Sequence, residues 1–433
     1  MAPPGAICRP GIDQTVTIVG ESAMTDFIIR PVTSEEYPAF VEAFIDGFGD
    51  DLPSEGFPEL VRSTLPPERT LAVFEGHQIV ATFGGYGLEV TIPGGDRFPM
   101  EGTTVVTVLP THRRMGMLRD MMAAHLENAV DAGYAIAGLW ASESGIYGRF
   151  GYGIATQHRS YTLFGPSITM RPGVGVDRVR RIAPEAALEA FAPVFDRVLP
   201  TRPGMYARSE PWWKNEVLPD EEWMRRGRTK RRYVVHDGPD GVDGYAMYRQ
   251  KSGESDDGHA NGKVDVGEII AETPQALASL WAYLTRIDLS PNVEAWNTPI
   301  DDPLPAMVTE PRRVRTSRVS DALWIRILDV AAALEARTYE EDGEVTFEVV
   351  DATRPSTSGS YSLVVEGGTG RVERTGAVPD LSVDIDVLGA LYLGGGDAMA
   401  HAAAGRLRGD DHHVVRLHRL MRTVRQPWCN QVF

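Results

Sequence analysis

The chain has 433 residues, with 43 lysines and arginines against 60 aspartates and glutamates, a formal net charge of −17, and a 42% share of hydrophobic residues. That length supports two or three domains with real cores. The acidic balance argues against nucleic acid as the main partner and favours cationic ligands, although charge kept for solubility is the simpler explanation. No apolar run approaches the ~18 residues that a membrane-crossing helix needs.

Two cysteines, Cys8 and Cys429, sit near opposite ends in no metal-ligand or disulfide pattern, which fits a reducing cytoplasm. Residues 1–23 are punctuated by proline and glycine and lack the charged start and apolar core of a secretory signal. They read as a disordered extension, or an early start codon, ahead of Met24.

From Phe27 to about Tyr161 strands and helices alternate. Phe27–Arg30 reads as a strand and Ser34–Phe48 as a helix with Glu35 and Glu36 in its first turn. Leu71–Phe74, Ile79–Tyr86 and Leu88–Ile92 read as strands, the first two parted by the Glu75-Gly76 turn. Thr103–Val108 is a further strand. Met117–Val130 carries a helical stripe of Leu118, Met121, Met122, Leu126, Ala129 and Val130, stopped by Gly133. Ala135–Ala141 is the next strand, so this region is a mixed sheet with crossover helices.

The Pro/Gly-rich stretch Gly165–Val176 marks a boundary. Beyond it, Val242–Tyr248 and Lys263–Ile270 read as strands and Pro274–Ile287 as a helix, with a polar surface loop at Gly253–Gly262. The junction Ile269–Ala276 repeats the first region's strand-to-helix layout without its glycine or arginines, and reads as a degenerate second copy. A third region begins near Arg312. Leu323–Leu328 is an apolar strand and Val330–Ala336 a short helix. Thr346–Val350 and Tyr361–Val365 alternate as antiparallel strands. Leu381–Ile385, Asp386–Tyr392 and Ala398–Arg408 follow as strand, helix and helix.

Chemistry concentrates at Val106-Thr-Val-Leu-Pro-Thr-His-Arg-Arg-Met-Gly-Met-Leu-Arg119. A β-branched run ends at a proline, a loop with two arginines and a glycine follows, and a helix begins. Such a loop and first helical turn present backbone N–H groups to an anion, and the helix dipole adds roughly 0.3–1 kcal/mol. Arg113, Arg114 and Arg119 supply full charges and fork-shaped donors for phosphate oxygens. The next strand leads into Ala141-Ser-Glu-Ser-Gly-Ile-Tyr-Gly-Arg-Phe-Gly-Tyr-Gly153. Its glycines allow backbone to approach a ligand closely; taken alone, it reads equally as a tight turn with two core tyrosines. Trp212 and Trp213 read as core or as a ligand wall, and core packing is the simpler reading. His412 and His413 form a pair with no third ligand spaced nearby, so no metal is expected.

Together these two stretches resemble the GNAT acetyltransferase superfamily and, more closely, the Eis (enhanced intracellular survival) aminoglycoside and lysine N-acetyltransferases. The likeness extends through Asp302-Pro-Leu-Pro305, Leu323-Trp-Ile-Arg326, Ala333-Leu-Glu-Ala-Arg337, Val387-Leu-Gly-Ala-Leu-Tyr-Leu-Gly394 and the terminal Phe433. The resemblance implies an α+β fold with a catalytic GNAT domain over 24–165, a degenerate GNAT-like domain over 166–310, and a sterol-carrier-protein-like domain over 311–433. It implies acetyl-CoA as donor, a cationic amine as acceptor, no metal and a homohexamer in the cytoplasm, with export lacking a recognisable signal left open. Val106, Thr107 and Val108 would pair their backbone with the pantetheine arm. Arg113, Arg114, Met115, Gly116, Met117, Leu118 and Arg119 would hold the pyrophosphate, and Ser142 and Glu143 would flank the cofactor. Tyr147 would be the general acid, the α-carboxylate of Phe433 the general base, and Asp46 an acidic substrate contact.

Elementary acid–base chemistry refines those roles. A substrate ammonium with a pKa near ~10.4 is not a nucleophile until it loses a proton. A terminal carboxylate at about 3.3–3.7 is a weak base in water, so burial and a relay water must assist it. Tyrosine at about 10 is a weaker acid than a thiol at about 8.5, which makes full proton transfer from Tyr147 to the CoA thiolate uphill by about 2 kcal/mol. Tyr147 is therefore expected to act as a hydrogen-bond donor whose proton moves late. Val432 stands where the family carries an acidic residue before its last one, which bears on amine preference. The alternative is a CoA- or lipid-binding interaction protein with a vestigial GNAT half.

Overall fold

The computed structural model describes residues 16–19 and 26–433. Most of the expected disordered extension at 1–23, with Cys8, lies outside these residues. Within it, Val16–Val19 is a strand paired antiparallel with Asp26–Arg30, so an edge strand stands at those four positions where disorder was expected.

The first sheet is built from β1 (Val16–Val19), β2 (Asp26–Arg30), β3 (Thr70–Glu75), β4 (Gln78–Thr91), β5 (Arg97–Val108), β6 (Ile136–Trp140) and β7 (Gly153–Ile154). The second takes β8 (Gln157–Phe164), β9 (Val179–Ile182), β10 (Arg232–Gly238), β11 (Gly241–Lys251), β12 (Lys263–Ala271), β13 (Asn292–Pro299) and β14 (Arg315–Asp321). β15 (Leu323–Ile327) then returns to the first sheet and lies between β6 and β7. The third sheet holds β16 (Gly343–Val350), β17 (Gly359–Glu366), β18 (Thr369–Arg374), β19 (Leu381–Asp384) and β20 (Leu407–Gly409) in the order β18-β17-β16-β19-β20.

Sheet membership cuts across the expected domain limits at 165/166 and 310/311. β8, expected in the first domain, pairs with β13 and β14 of the second sheet. β15, expected in the third domain, completes the first sheet with its five residues all buried. Strand pairing is a long-range interaction that local composition does not record.

The first two sheets share one layout. A long antiparallel pair, β4–β5 or β11–β12, leads through one helix to a strand parallel to the second member. The helix Met117–Asp131 buries Met117, Met121, Met122, His125, Leu126 and Ala129 at helical spacing. Each buried methionine or leucine side chain there contributes about 1.5–3 kcal/mol. In the second copy, Thr273 caps the helix Pro274–Leu284 by accepting from Ala276 N at 3.1 Å, so this junction spends its helix start on a side chain.

Several local expectations shift. The helix expected over Ser34–Phe48 starts at Tyr37, because Thr33 and Glu36 form a turn first. Ile79–Tyr86 and Leu88–Ile92 are one continuous strand, β4, in which Gly87 pairs with Glu101 rather than turning. A Cβ at Gly87 would stand 3.0 Å from the Tyr134 hydroxyl, so the glycine makes room for a neighbour. The helix expected over Ala398–Arg408 ends at Ala403, before Gly405 at φ +72, and Leu407 then enters β20. Trp212 and Trp213 are core residues.

Candidate functional site

The site begins where the first sheet opens. β5 and β6 run parallel only over Met100–Gly102 against Ile136–Gly138, after which they diverge. On its other side β5 stays paired with β4, but Val105 and Val106 both stand opposite the single residue Phe83. That extra residue is a β-bulge, and it bends the strand away from its neighbour. Val105 takes φ +44, a costly conformation for a β-branched residue. Thr82 pins it: its hydroxyl donates to Val105 O at 2.8 Å and lies 2.7 Å from Thr107 Oγ1. Val106–Val108 thus face a gap with backbone groups that β6 does not take.

The arginine loop closes one end of that gap. A tight turn at Pro110–His112 leads to Arg114 at φ +67 and Gly116 at φ +90, and the helix Met117–Asp131 starts there with no capping side chain among the described residues. The first N–H groups of that helix remain for a ligand. Arg113 Nε donates to Val108 O at 3.2 Å, which ties loop to strand. Arg119 pairs with Asp120 at 2.8 Å, and Arg114 has no carboxylate partner among the described residues.

Strand, loop and the Ser142–Phe150 turn enclose a cleft of about 950 Å³. Val106, Thr107, Val108, Arg113, Arg114, Gly116, Met117, Leu118, Arg119, Ser142, Glu143 and Tyr147 all line it. Met115 does not; it is 55% exposed. Asp46 is exposed near the end of the helix Tyr37–Phe48, while its neighbours Gly47 and Phe48 line the cleft. Gly47 packs so tightly on β5 that a Cβ would come within 2.6 Å of Thr107.

Tyr147 is 5% exposed. Burial pushes its phenol above the usual value, the hydrogen bond with Ser142 opposes this, and the Glu143 carboxylate adds to it. The phenol therefore keeps its proton. Two glycines of this turn serve packing rather than ligand approach. A Cβ at Gly151 would meet Arg326 Nε at 2.7 Å, and one at Gly153 would overlap Asp386 O. Arg326, fully buried, pairs with Asp351, which in turn holds Thr353 at the cleft wall.

Behind Tyr147 lies a buried polar chain that the sequence reading missed. Arg69 donates to Glu101 at 2.5 Å, Glu101 lies 3.9 Å from His125 Nε2, and Thr103 bonds both His125 at 2.9 Å and the Tyr152 hydroxyl at 3.0 Å. The Tyr152 ring stands edge-on to Tyr147, 6.3 Å between centroids. Burial raises the Glu101 carboxyl to about 7 despite Arg69, and burial with the Arg69 charge lowers His125 to about 3. The available signal was Gly84-Gly-Tyr-Gly87: a Cβ at Gly85 would stand 2.0 Å from the Glu101 carboxylate.

Phe433 does not line the main cleft. Its ring packs edge-on against Tyr206 at 5.5 Å and lies where a Cβ on Gly102 would stand 3.1 Å away, at the point where β5 and β6 part. The tail reaching it is tied down stepwise. Trp428 N donates to Pro203 O at 2.8 Å, Asn297 bonds both the Trp428 indole at 2.7 Å and Cys429 O at 3.1 Å, and Trp212 donates to Gln431 at 3.3 Å.

Known domain families match three parts of the chain. Residues 28–155 and 204–327 each match an acetyltransferase (GNAT) domain family, and residues 330–430 match a sterol carrier protein domain. The chain is 35% identical to an uncharacterized N-acetyltransferase of Streptomyces avermitilis over 88% of this chain and 93% of that one. It is 35% identical to N-acetyltransferase Eis of Mycobacterium tuberculosis over 80% of this chain and 87% of that protein. Among solved structures, Eis1 from Mycobacterium abscessus superposes with a TM-score of 0.80 at 30% identity, covering 94% of this chain and all of that one. A GCN5-related N-acetyltransferase from Anabaena variabilis shares the fold at TM-score 0.80 and 18% identity. With two GNAT units, an opened sheet beside an arginine loop, and a sterol-carrier-protein domain, this chain belongs to the Eis family of N-acetyltransferases.

Proposed function

We propose that the protein moves an acetyl group from acetyl-CoA to a primary amine, such as those of aminoglycosides or lysine side chains, directly and without a covalent enzyme intermediate. The carrying observation is the meeting, in one cleft, of a helix start with arginines, a strand that β6 no longer pairs beyond Gly102, and buried Tyr147. These features suit a long ligand with a diphosphate at one end and amide groups along its arm. Bound acetyl-CoA supplies an activated acyl group.

The chain's own residues perform the rest. Arg113, Arg114 and the N–H groups of Gly116–Arg119 hold the pyrophosphate, with Met115 contributing backbone alone. Ser142 and Glu143 flank the cofactor, and N–H groups of Val106–Val108 bind the arm and polarise the thioester carbonyl. Asp46 draws in the cation. The Phe433 carboxylate accepts the amine's proton through a water. Tyr147 donates a hydrogen bond to the departing sulfur. The assembly is a homohexamer.

An acetylation screen with kanamycin, spermidine and a lysine peptide identifies the acceptor. Deleting Phe433 or extending the C-terminus is expected to abolish turnover while CoA still binds by calorimetry. Full activity of the extended protein refutes the chain-end base, and absence of CoA binding at high micromolar concentration favours a vestigial GNAT half.

A further inference from the structure

A terminal residue frays unless something holds it, and a base is useful only when its geometry is fixed. Three residues before the chain end, Asn430 is 6% exposed and its Nδ2 donates to Glu268 Oε2 at 2.9 Å. Its Oδ1 is buried and has no hydrogen-bond partner among the described residues, where Glu268 orients this amide. Glu268 belongs to β12 of the second GNAT unit and is itself clamped. Arg208 holds both carboxylate oxygens, at 3.0 and 2.6 Å, and the Tyr245 hydroxyl donates to Oε1 at 2.8 Å. The Arg208 guanidinium sits over the Phe195 and Trp213 rings, 4.2 and 4.6 Å from their centroids.

Burial alone would raise the Glu268 carboxyl, but Arg208 and the bonds from Tyr245 and Asn430 hold it below its usual range. Glu268 is thus a fixed anion. A buried ion pair of this kind adds little stability over an apolar cluster of the same shape. What it adds is a rigid, directional acceptor at one position beneath the tail.

We propose that Glu268, locked by Arg208 and Tyr245, is a positioning residue that fixes the Phe433 carboxylate through Asn430. The second GNAT unit, which lacks the arginine loop, then serves the reaction as the mount for its base. This rests on the reading of the chain end as general base.

The test compares full-length protein, the Phe433 deletion, Asn430→Ala and Asn430→Asp, with acetyl-CoA and the best acceptor among kanamycin, spermidine and a lysine peptide. Asn430→Ala is expected to lower kcat about 10- to 100-fold, to leave KM for acetyl-CoA and the melting temperature near wild type, and to shift the acid limb of the kcat–pH profile. Asn430→Asp, which sets a carboxylate against Glu268, is expected to be worse. Adding Glu268→Gln to it restores a donor–acceptor pair with the charge moved to the tail, and is expected to recover part of kcat. That rescue also decides the matter if Asn430→Ala fails to fold. An inactive deletion with fully active Asn430→Ala overturns the mount and leaves the chain-end base standing. An active deletion removes that base, and the mount with it. A lowered melting temperature with a raised KM for acetyl-CoA in Asn430→Ala, without rescue of Asn430→Asp, reduces Glu268 to a structural role.

Discussion

Thr82→Val is a near-isosteric change that removes one hydroxyl and, with it, the clip that holds the sheet open. That hydroxyl donates to Val105 O and bonds Thr107, and Thr82 is fully buried. Without it, the Val105 carbonyl loses its donor, at about 1–3 kcal/mol for an unsatisfied buried group. Val105 already holds a φ of +44, so the bulge gains a further reason to relax. Relaxation lets β5 straighten toward β6 and narrows the gap at Val106–Val108. If the whole shift falls on the open form, the affinity for CoA drops about 5- to 150-fold. Calorimetry with CoA reads this directly, and urea unfolding reads the accompanying stability change. Loss of 1 kcal/mol or more of stability with unaltered CoA affinity would refute the link between the bulge and the cleft.

Tyr147→Phe removes the buried donor while keeping its ring; kcat is expected to fall about 10²- to 10⁴-fold with CoA affinity unchanged, measured by steady-state kinetics and calorimetry. Arg113→Ala and Arg114→Ala are each expected to weaken CoA binding about tenfold at low salt and less at high salt, because both side chains are exposed and their charges are screened. Glu101 gives a stability signature. Its carboxyl rises from an ordinary value near 4.5 to about 7, so the folded chain binds more protons than the unfolded one between those values. Its contribution is full below about pH 4.5 and is lost as pH rises through 7, by up to about 3 kcal/mol. Glu101→Gln is expected to flatten that fall in urea titrations at pH 5 and 7.5; parallel profiles would count against it.

Legibility in the sequence followed the range of the interactions. The arginine loop was readable because its turn, glycine and helix start are set by neighbouring residues: Gly116 at φ +90 is followed directly by the helix. The Tyr147 turn was readable as a motif, but the reason for its glycines was not. Gly151 and Gly153 yield to Arg326 and Asp386, which are more than 170 positions away. Apolar periodicity located the helix Met117–Asp131, yet it passed over His125, a buried polar residue on the apolar face whose partner Thr103 lies on the strand β5. Leu323–Ile327 was legible as a strand and illegible as a member of the first sheet.

By itself, then, the sequence made legible the helix Met117–Asp131, the arginine loop ahead of it, the Tyr147 turn and the family, since each depends on residues that follow one another. Only the tertiary structure decided that β5 and β6 part at Gly102, that Thr82 bonds the bulge at Val105, and that Phe433 comes to rest at that opening. Those placements come from packing and hydrogen bonds between residues far apart in the chain, such as Asn430 with Glu268 and Trp428 with Asn297. No local pattern specifies them, because each partner is set by where the rest of the fold puts it.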